Sequence, residues 1–96
     1  MVAQTGSMNV QYDPALLTRL KKLNVRIRNS FQEKIELFKK NPNNYHLNNH
    51  QLRDEYKGFR SINITNDYRA IYEEVKEGNE TIAYFFLLGT HKEFYG

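Results

Sequence analysis

The hydrophobic period of this chain drops from that of a helix to two near its middle, and that change limits the fold more than any other feature. Leu16, Leu17, Leu20 and Leu23, then Ile27, Phe31, Ile35 and Phe38, recur at the three- and four-residue spacing of a helix face. From Phe59 onward the spacing drops to two, with Phe59, Ser61, Asn63 and Thr65 alternating against Arg60, Ile62 and Ile64. A pattern of period 3.6 cannot hold its apolar residues on one side of a strand, and a pattern of two cannot hold them on one side of a helix. Two helices therefore precede a group of strands.

The residues between these runs supply the punctuation. Asn9 to Tyr12 alternates and reads as a short first strand. Asp13 before Pro14 is a capping residue followed by proline at the first helical position. Asn24 can end the first helix or cap the second, and two helices joined so tightly form an antiparallel hairpin. Lys39 and Lys40 suit the carbonyl end of the second helix, which Asn41-Pro42 stops. Asn41 to Gln51 is rich in asparagine and without period, and reads as loop. Asn66-Asp67 and Glu77-Gly78-Asn79 are turns on either side of a strand beginning at Tyr68. Thr81 to Leu88 is apolar on both parities, as a strand covered on both faces must be. Gly89 releases the chain into a short C-terminal turn from His91. The predicted fold is α+β, with the order β-α-α-β-β-β and a helical hairpin packed on one face of a small antiparallel sheet.

Length and composition bound the rest. Ninety-six residues allow one domain. Met8 directly follows Gly6-Ser7, so residues 1–7 read as an expression scar and 8–96 as the single domain. No basic stretch leading into an apolar one marks a secretory signal, and no apolar run approaches the ~20 residues of a membrane span. With no cysteine there is no disulfide, thiolate nucleophile or Cys-ligated zinc, which fits a reducing cytoplasm. A net charge of +3 permits contact with nucleic-acid phosphates and equally permits a merely basic soluble domain.

The candidates for chemistry lie outside the periodic elements. His50 closes the asparagine-rich loop, His91 follows Gly89-Thr90, Asp67 sits in a turn and Tyr95 is near the end of the chain. Two imidazoles near a carboxylate can cleave a phosphodiester without metal. One takes the proton of the ribose 2′-hydroxyl, the other protonates the departing 5′-oxygen, and a cation steadies the phosphorane. Each residue also has a plainer reading. His50 reads as an ordinary loop residue, His91 as a cap of the terminal turn, Asp67 as a turn former and Tyr95 as a core lid. Arg60 and Arg69 can pair with acids or with phosphate, structural pairing being the default, and Tyr68, Tyr72 and Tyr84 read as packing residues, of which an exposed one could stack on a base. His46 and His50 have helical ligand spacing, but in a stretch unsuited to a helix, so no metal site follows.

As a set, several short motifs resemble the RelE superfamily of toxins, and the YafQ branch in particular. They are His50-Gln51-Leu52, Tyr56-Lys57-Gly58-Phe59-Arg60-Ser61, Asn66-Asp67-Tyr68-Arg69-Ala70-Ile71-Tyr72, Gly89-Thr90-His91 and Phe94-Tyr95. The resemblance implies a RelE-like fold and a ribosome-dependent endoribonuclease that cuts messenger RNA and needs neither metal nor cofactor. It implies as partners the ribosome, the message and a cognate antitoxin, with operator DNA reached only through the antitoxin. Membrane is not among them, and the location is the cytoplasm. Carried over by position, His50, Asp67 and His91 are the catalytic residues, with His91 as general acid and His50 or Asp67 assisting deprotonation. Tyr68 and Tyr95 would orient a base.

Two positions depart from the branch, which often has histidine where this chain has Asn63 and arginine where it has Leu87. Asn63 can hydrogen-bond but carries no proton, while Arg60, Lys57 or Lys92 would have to replace the missing cation. Two other functions fit the same fold. One is a ParE-type toxin that binds DNA gyrase without cutting RNA, and the other a catalytically dead relative acting only as antitoxin or operator partner. Lys21, Lys22, Lys39 and Lys40 are candidates for ribosomal RNA contact or a simple solvated face.

Overall fold

The computed structural model describes residues 8–95, so the expected scar at 1–7 lies outside the described residues. Strand β1 (Asn9–Tyr12) leads into α1 (Pro14–Lys22) and α2 (Val25–Lys40). Strands β2 (His50–Gln51), β3 (Arg60–Asn63), β4 (Tyr68–Glu77) and β5 (Glu80–Thr90) follow, and α3 (His91–Tyr95) ends the chain.

The helices start where their caps predict. Asp13 accepts the Ala15 N–H at 2.8 Å, and Pro14 occupies the first helical position, where a missing N–H costs nothing. Asn24 belongs to α2, accepting the Ile27 N–H at 3.0 Å. Arg28 Nη1 donates to the Leu23 carbonyl at 2.7 Å and so ties the short link between the helices. One stripe of each helix is buried, Leu16 on α1 and Phe31, Ile35 and Phe38 on α2. These meet Ile62, Ala70, Tyr72, Ala83, Phe85 and Leu88 from one face of the sheet, and this is the core. Phe38, fully buried, lies edge-on to both Tyr72 and Phe85 with ring centroids 5.0 and 5.2 Å away.

The sheet corrects the expectation of purely antiparallel strands. Its order is β1-β5-β4-β3-β2, and β1 runs parallel to β5, with Val10 opposite Ala83. The alternation of Asn9–Tyr12 reports a strand but not its direction. Because two helices intervene, the chain reaches the far edge of the sheet and β1 lies parallel there. A second correction concerns the asparagine-rich segment. It contains a single 3-10 turn at Tyr45–Leu47, and its end is a two-residue edge strand, β2, paired antiparallel with β3 through His50↔Ser61 and Gln51↔Arg60. Two residues are too few to show a period.

A bulge sets which face each residue of β5 occupies. Ile71 pairs with Leu87 but Tyr72 pairs with Phe85, which leaves Phe86 unpaired. Phe85 and Leu88 therefore both face the helices, while Leu87 and Gly89 turn to the opposite side. Following the register across the strands, that opposite side carries two rows, His50–Ser61–Ile71–Leu87 and Asn63–Arg69–Gly89.

Candidate active site

The face of the sheet away from α1 and α2 holds the candidate site, at the end where β4 begins and β5 ends. His50 reaches it from β2. Its Nδ1 lies 2.7 Å from the carbonyl oxygen of Asn48. A carbonyl only accepts, so in the neutral imidazole Nδ1 carries the proton and Nε2 the lone pair. Asn48 adopts the left-handed conformation, φ 47° and ψ 48°, at the end of the preceding 3-10 turn, and asparagine tolerates that geometry.

Arg69 comes from the second residue of β4. The turn before it is closed by the Thr65 hydroxyl, which accepts the N–H groups of Asp67 and Tyr68 at 3.2 and 3.0 Å. Arg69 Nη1 then donates to the turn carbonyls of Thr65 and Asn66 at 3.1 and 2.9 Å. Among the described residues Nε and Nη2 make no hydrogen bond, so half of the guanidinium fork is anchored and half is available. Arg69 pairs with Gly89 across β5.

His91 is positioned by the geometry of a helix start. Thr90 Oγ1 accepts the Glu93 N–H at 3.1 Å while Glu93 Oε1 accepts the Thr90 N–H at 2.7 Å, a reciprocal capping box. Glu93 Oε1 also receives Arg19 Nη2 at 2.8 Å, tying α3 to α1. The Thr90 N–H, and with it the charge of Arg19, holds the Glu93 carboxyl below its ordinary value. Between the two cap residues, the His91 N–H donates to the Asp67 carbonyl at 2.9 Å. Gly89 suits this close return of the chain, since a Cβ there would stand 2.7 Å from Glu93 Oε1 and 3.2 Å from the Phe94 ring and would displace the carboxylate.

Together these elements enclose a cavity of about 280 Å³ lined by Asn48, His50, Ser61, Arg69, His91 and Tyr95. The His91 ring packs on Tyr95 with centroids 4.7 Å apart. Partial burial, and next the neighbouring Tyr56, raise the Tyr95 hydroxyl above its ordinary value, while the Arg69 charge opposes the rise. His50 and Tyr95 also border a second depression of about 530 Å³, which Tyr56 and Phe94 line. The ring of Tyr56 stands edge-on to both Phe94 and Tyr95, at 5.9 and 6.3 Å.

Of the residues singled out from the sequence, His50, His91 and Tyr95 share the cavity. Asp67 touches the site through its backbone, and its exposed carboxylate makes no hydrogen bond among the described residues. Asn63 lies on the same face, opposite Arg69, with Oδ1 buried and without a hydrogen-bond partner among the described residues. Tyr68 and Arg60 are on the other face. Tyr68 packs against the helix-side core, and Arg60 Nε donates to Asn49 Oδ1 at 2.8 Å. Lys57 borders a separate depression with Arg60 and Glu74, and Lys92 is exposed on α3 outside the cavity lining. The cation at the cavity is therefore Arg69, for which the sequence left phosphate pairing open behind a structural default. Thr90 and Glu93 were missed, although Thr-x-x-Glu ahead of an aromatic pair is a legible capping signature. Among the described residues no group of three or more His, Asp or Glu side chains gathers in metal-ligating range.

Known proteins share this architecture. The crystal structure of YafQ from E. coli strain BL21(DE3) superposes with a TM-score of 0.70 at 20% identity, covering 94% of this chain and 100% of that one. The YoeB/ParE toxin from Agrobacterium tumefaciens gives 0.69 at 17% identity, covering 88% and 99%. The RelBE2 toxin–antitoxin complex from Mycobacterium tuberculosis gives 0.60 at 20% identity, covering 88% and 99%. A sequence search of curated proteins finds no match. Fold and motifs together define a toxin of the RelE/ParE superfamily with YafQ-like architecture. Residues 10–95 match the model of the ParE toxin of type II toxin–antitoxin systems, parDE, and the chain belongs to that family. No helix among the described residues is long and apolar enough to cross a membrane.

Proposed function

We propose that this toxin is a metal-independent endoribonuclease that cuts messenger RNA on the ribosome and is neutralised by a cognate antitoxin. The observation that carries the reading is the shared cavity, in which two imidazoles, a half-free guanidinium and an aromatic ring converge. His50 Nε2 takes the proton of the 2′-hydroxyl as that oxygen bonds to phosphorus. His91 in its imidazolium form gives a proton to the 5′-oxygen as the P–O5′ bond breaks, leaving a 2′,3′-cyclic phosphate and a 5′-hydroxyl. The free N–H groups of Arg69 face the charge that builds on the phosphorane. Tyr95, with Tyr56 and Phe94 behind it, offers a surface on which a base can stack. A cavity of about 280 Å³ holds little more than one nucleotide's reacting atoms, so a message already held by the ribosome supplies the alignment that the chain is too small to impose. The antitoxin follows from the family and from solved neighbours such as the E. coli DinJ–YafQ complex.

One observation favours a second reading, in which the toxin binds gyrase without cutting RNA: the matching family model is that of ParE. Primer extension on a message in a cell-free translation reaction separates the two. Wild-type protein should produce discrete cuts that need ribosomes, and His91→Ala should lose them, by about 10²–10⁴ in rate, while keeping its fold. An intact message with the wild-type protein would overturn the nuclease reading in favour of gyrase binding.

A further inference from the structure

The geometry points to Asn49 as the positioning residue that sets the tautomer and direction of the His50 ring, an inference that deepens the nuclease reading by explaining how its base is prepared. A neutral histidine acts as base only through the nitrogen without the proton, so which nitrogen is protonated decides whether His50 faces the 2′-hydroxyl with a lone pair or with an N–H. Metal and hydrolase sites usually settle this with a carboxylate behind the ring. Among the described residues the ring's one hydrogen-bond partner is the Asn48 carbonyl, 2.7 Å from Nδ1.

That carbonyl belongs to the peptide joining Asn48 to Asn49, and its direction depends on what holds Asn49. Three hydrogen bonds do. Asn49 Nδ2 donates to the Pro42 carbonyl at 3.0 Å and to the Tyr72 hydroxyl at 2.7 Å, and Oδ1 accepts Arg60 Nε at 2.8 Å. The amide is thereby oriented without ambiguity, because a carbonyl on one side demands its nitrogen and a guanidinium N–H on the other demands its oxygen. Tyr72 is 1% exposed, its ring fixed among Phe38 and Phe85, so this anchor reaches the most rigid part of the core. Arg60 is itself held by the β2–β3 pairing, opposite Gln51. Buried Leu47 and Leu52 anchor the segment on either side, but β2 between them is only a two-residue edge strand, and Asn48 stands in the left-handed region that asparagine tolerates. Arg60 thus acts from behind the sheet, through Asn49, rather than on the substrate.

The test reads the tautomer directly. Long-range proton–nitrogen correlation spectra of the ¹⁵N-labelled protein, taken where imidazole is neutral, distinguish Nδ1–H from Nε2–H for each histidine. Wild type should show His50 as Nδ1–H. Asn49→Ala should move it toward Nε2–H, the form a free histidine side chain favours in water, with His46 and His91 unchanged. Tyr72→Phe keeps the buried ring and removes only the hydroxyl, and it should produce a smaller shift in the same direction with the backbone spectrum otherwise preserved. In the cleavage assay Asn49→Ala should slow the rate roughly tenfold, part of the ~10²–10⁴ that acid–base transfer contributes. His50 as Nε2–H in wild type, or as Nδ1–H in both variants, overturns the inference. If the tautomer shifts as expected but wild type cuts no message, the positioning stands and the nuclease reading is what fails.

Discussion

At the level of single residues, the site resolves a deficit that the sequence alone suggests. The resemblance leads one to expect arginine at Leu87, and Arg69 from the neighbouring strand is the cation that lines the candidate cavity. Arg69→Ala should lower the cleavage rate by about 10²–10³, the loss expected when one donor to a developing oxyanion is removed. Arg69→Lys should recover little of it, because a single ammonium cannot hold the Thr65 and Asn66 carbonyls and still offer a planar fork to phosphate. Rates measured by timed primer extension check both variants. Glu93 makes a second prediction. Its carboxyl is held below the ordinary value, so the stability of its cap is fully present above the ordinary glutamate range and is lost as pH falls through the depressed value. The Thr90 and His91 amide resonances should stay fixed through mild acidity and move only below that range. Glu93→Gln should abolish this pH dependence.

At the level of elements, α3 has five residues, too short to be helical by propensity, and it depends on its cap and on Gly89. Gly89→Ala would push the Glu93 carboxylate away from Thr90 and Arg19, removing the capping box and the tie to α1 together. The expected cost is about 1 kcal/mol of stability in urea unfolding, the usual worth of an N-cap. Cleavage should fall far more than stability, because His91 and Tyr95 both ride on this helix. Equal falls would show that α3 has no special place in the site. The bulge at Phe86 acts on the same end of the sheet, since Gly89 would face α1 and α2 if Phe86 were instead paired in regular alternation.

Across the whole molecule, charge is distributed along the long hairpin. Glu73, Glu74, Glu77 and Glu80 occupy its far half, and β4 spans about 30 Å at the rise of an extended strand. Even Glu73, about 13 Å along the strand from Arg69, lies beyond the ~8–10 Å screening length at ordinary salt, so these acids exert little repulsion on a phosphate held there. The helical layer carries exposed Lys21, Lys22, Lys39 and Lys40. Reversing Lys39 and Lys40 to glutamate should weaken ribosome co-sedimentation by roughly tenfold at low salt, with the difference shrinking as salt rises. Unchanged binding would leave these lysines as a solvated face. Neither outcome touches the core, which the stripes of Leu16, Phe31, Ile35 and Phe38 close from the other side of that layer.

The sequence by itself determined what depends on neighbours along the chain. The helix stripes, the Asp13-Pro14 and Asn24 starts, the Asn41-Pro42 stop and the strand from Asn9 to Tyr12 are all local patterns, and each stands where its pattern puts it. Only the tertiary structure decided what depends on register and on crossings between distant segments. A period of two leaves strand direction open, so the parallel pairing of β1 with β5 was illegible. It also leaves open which face meets the helices, so Arg60 and Tyr68 could be read as site residues until pairing turned them to the other side. The same register brought Arg69 to His50 and His91. Hydrogen bonds between residues tens of positions apart, such as Asn49 to Tyr72 and Arg19 to Glu93, have no trace in a linear pattern because they exist only once the sheet has formed.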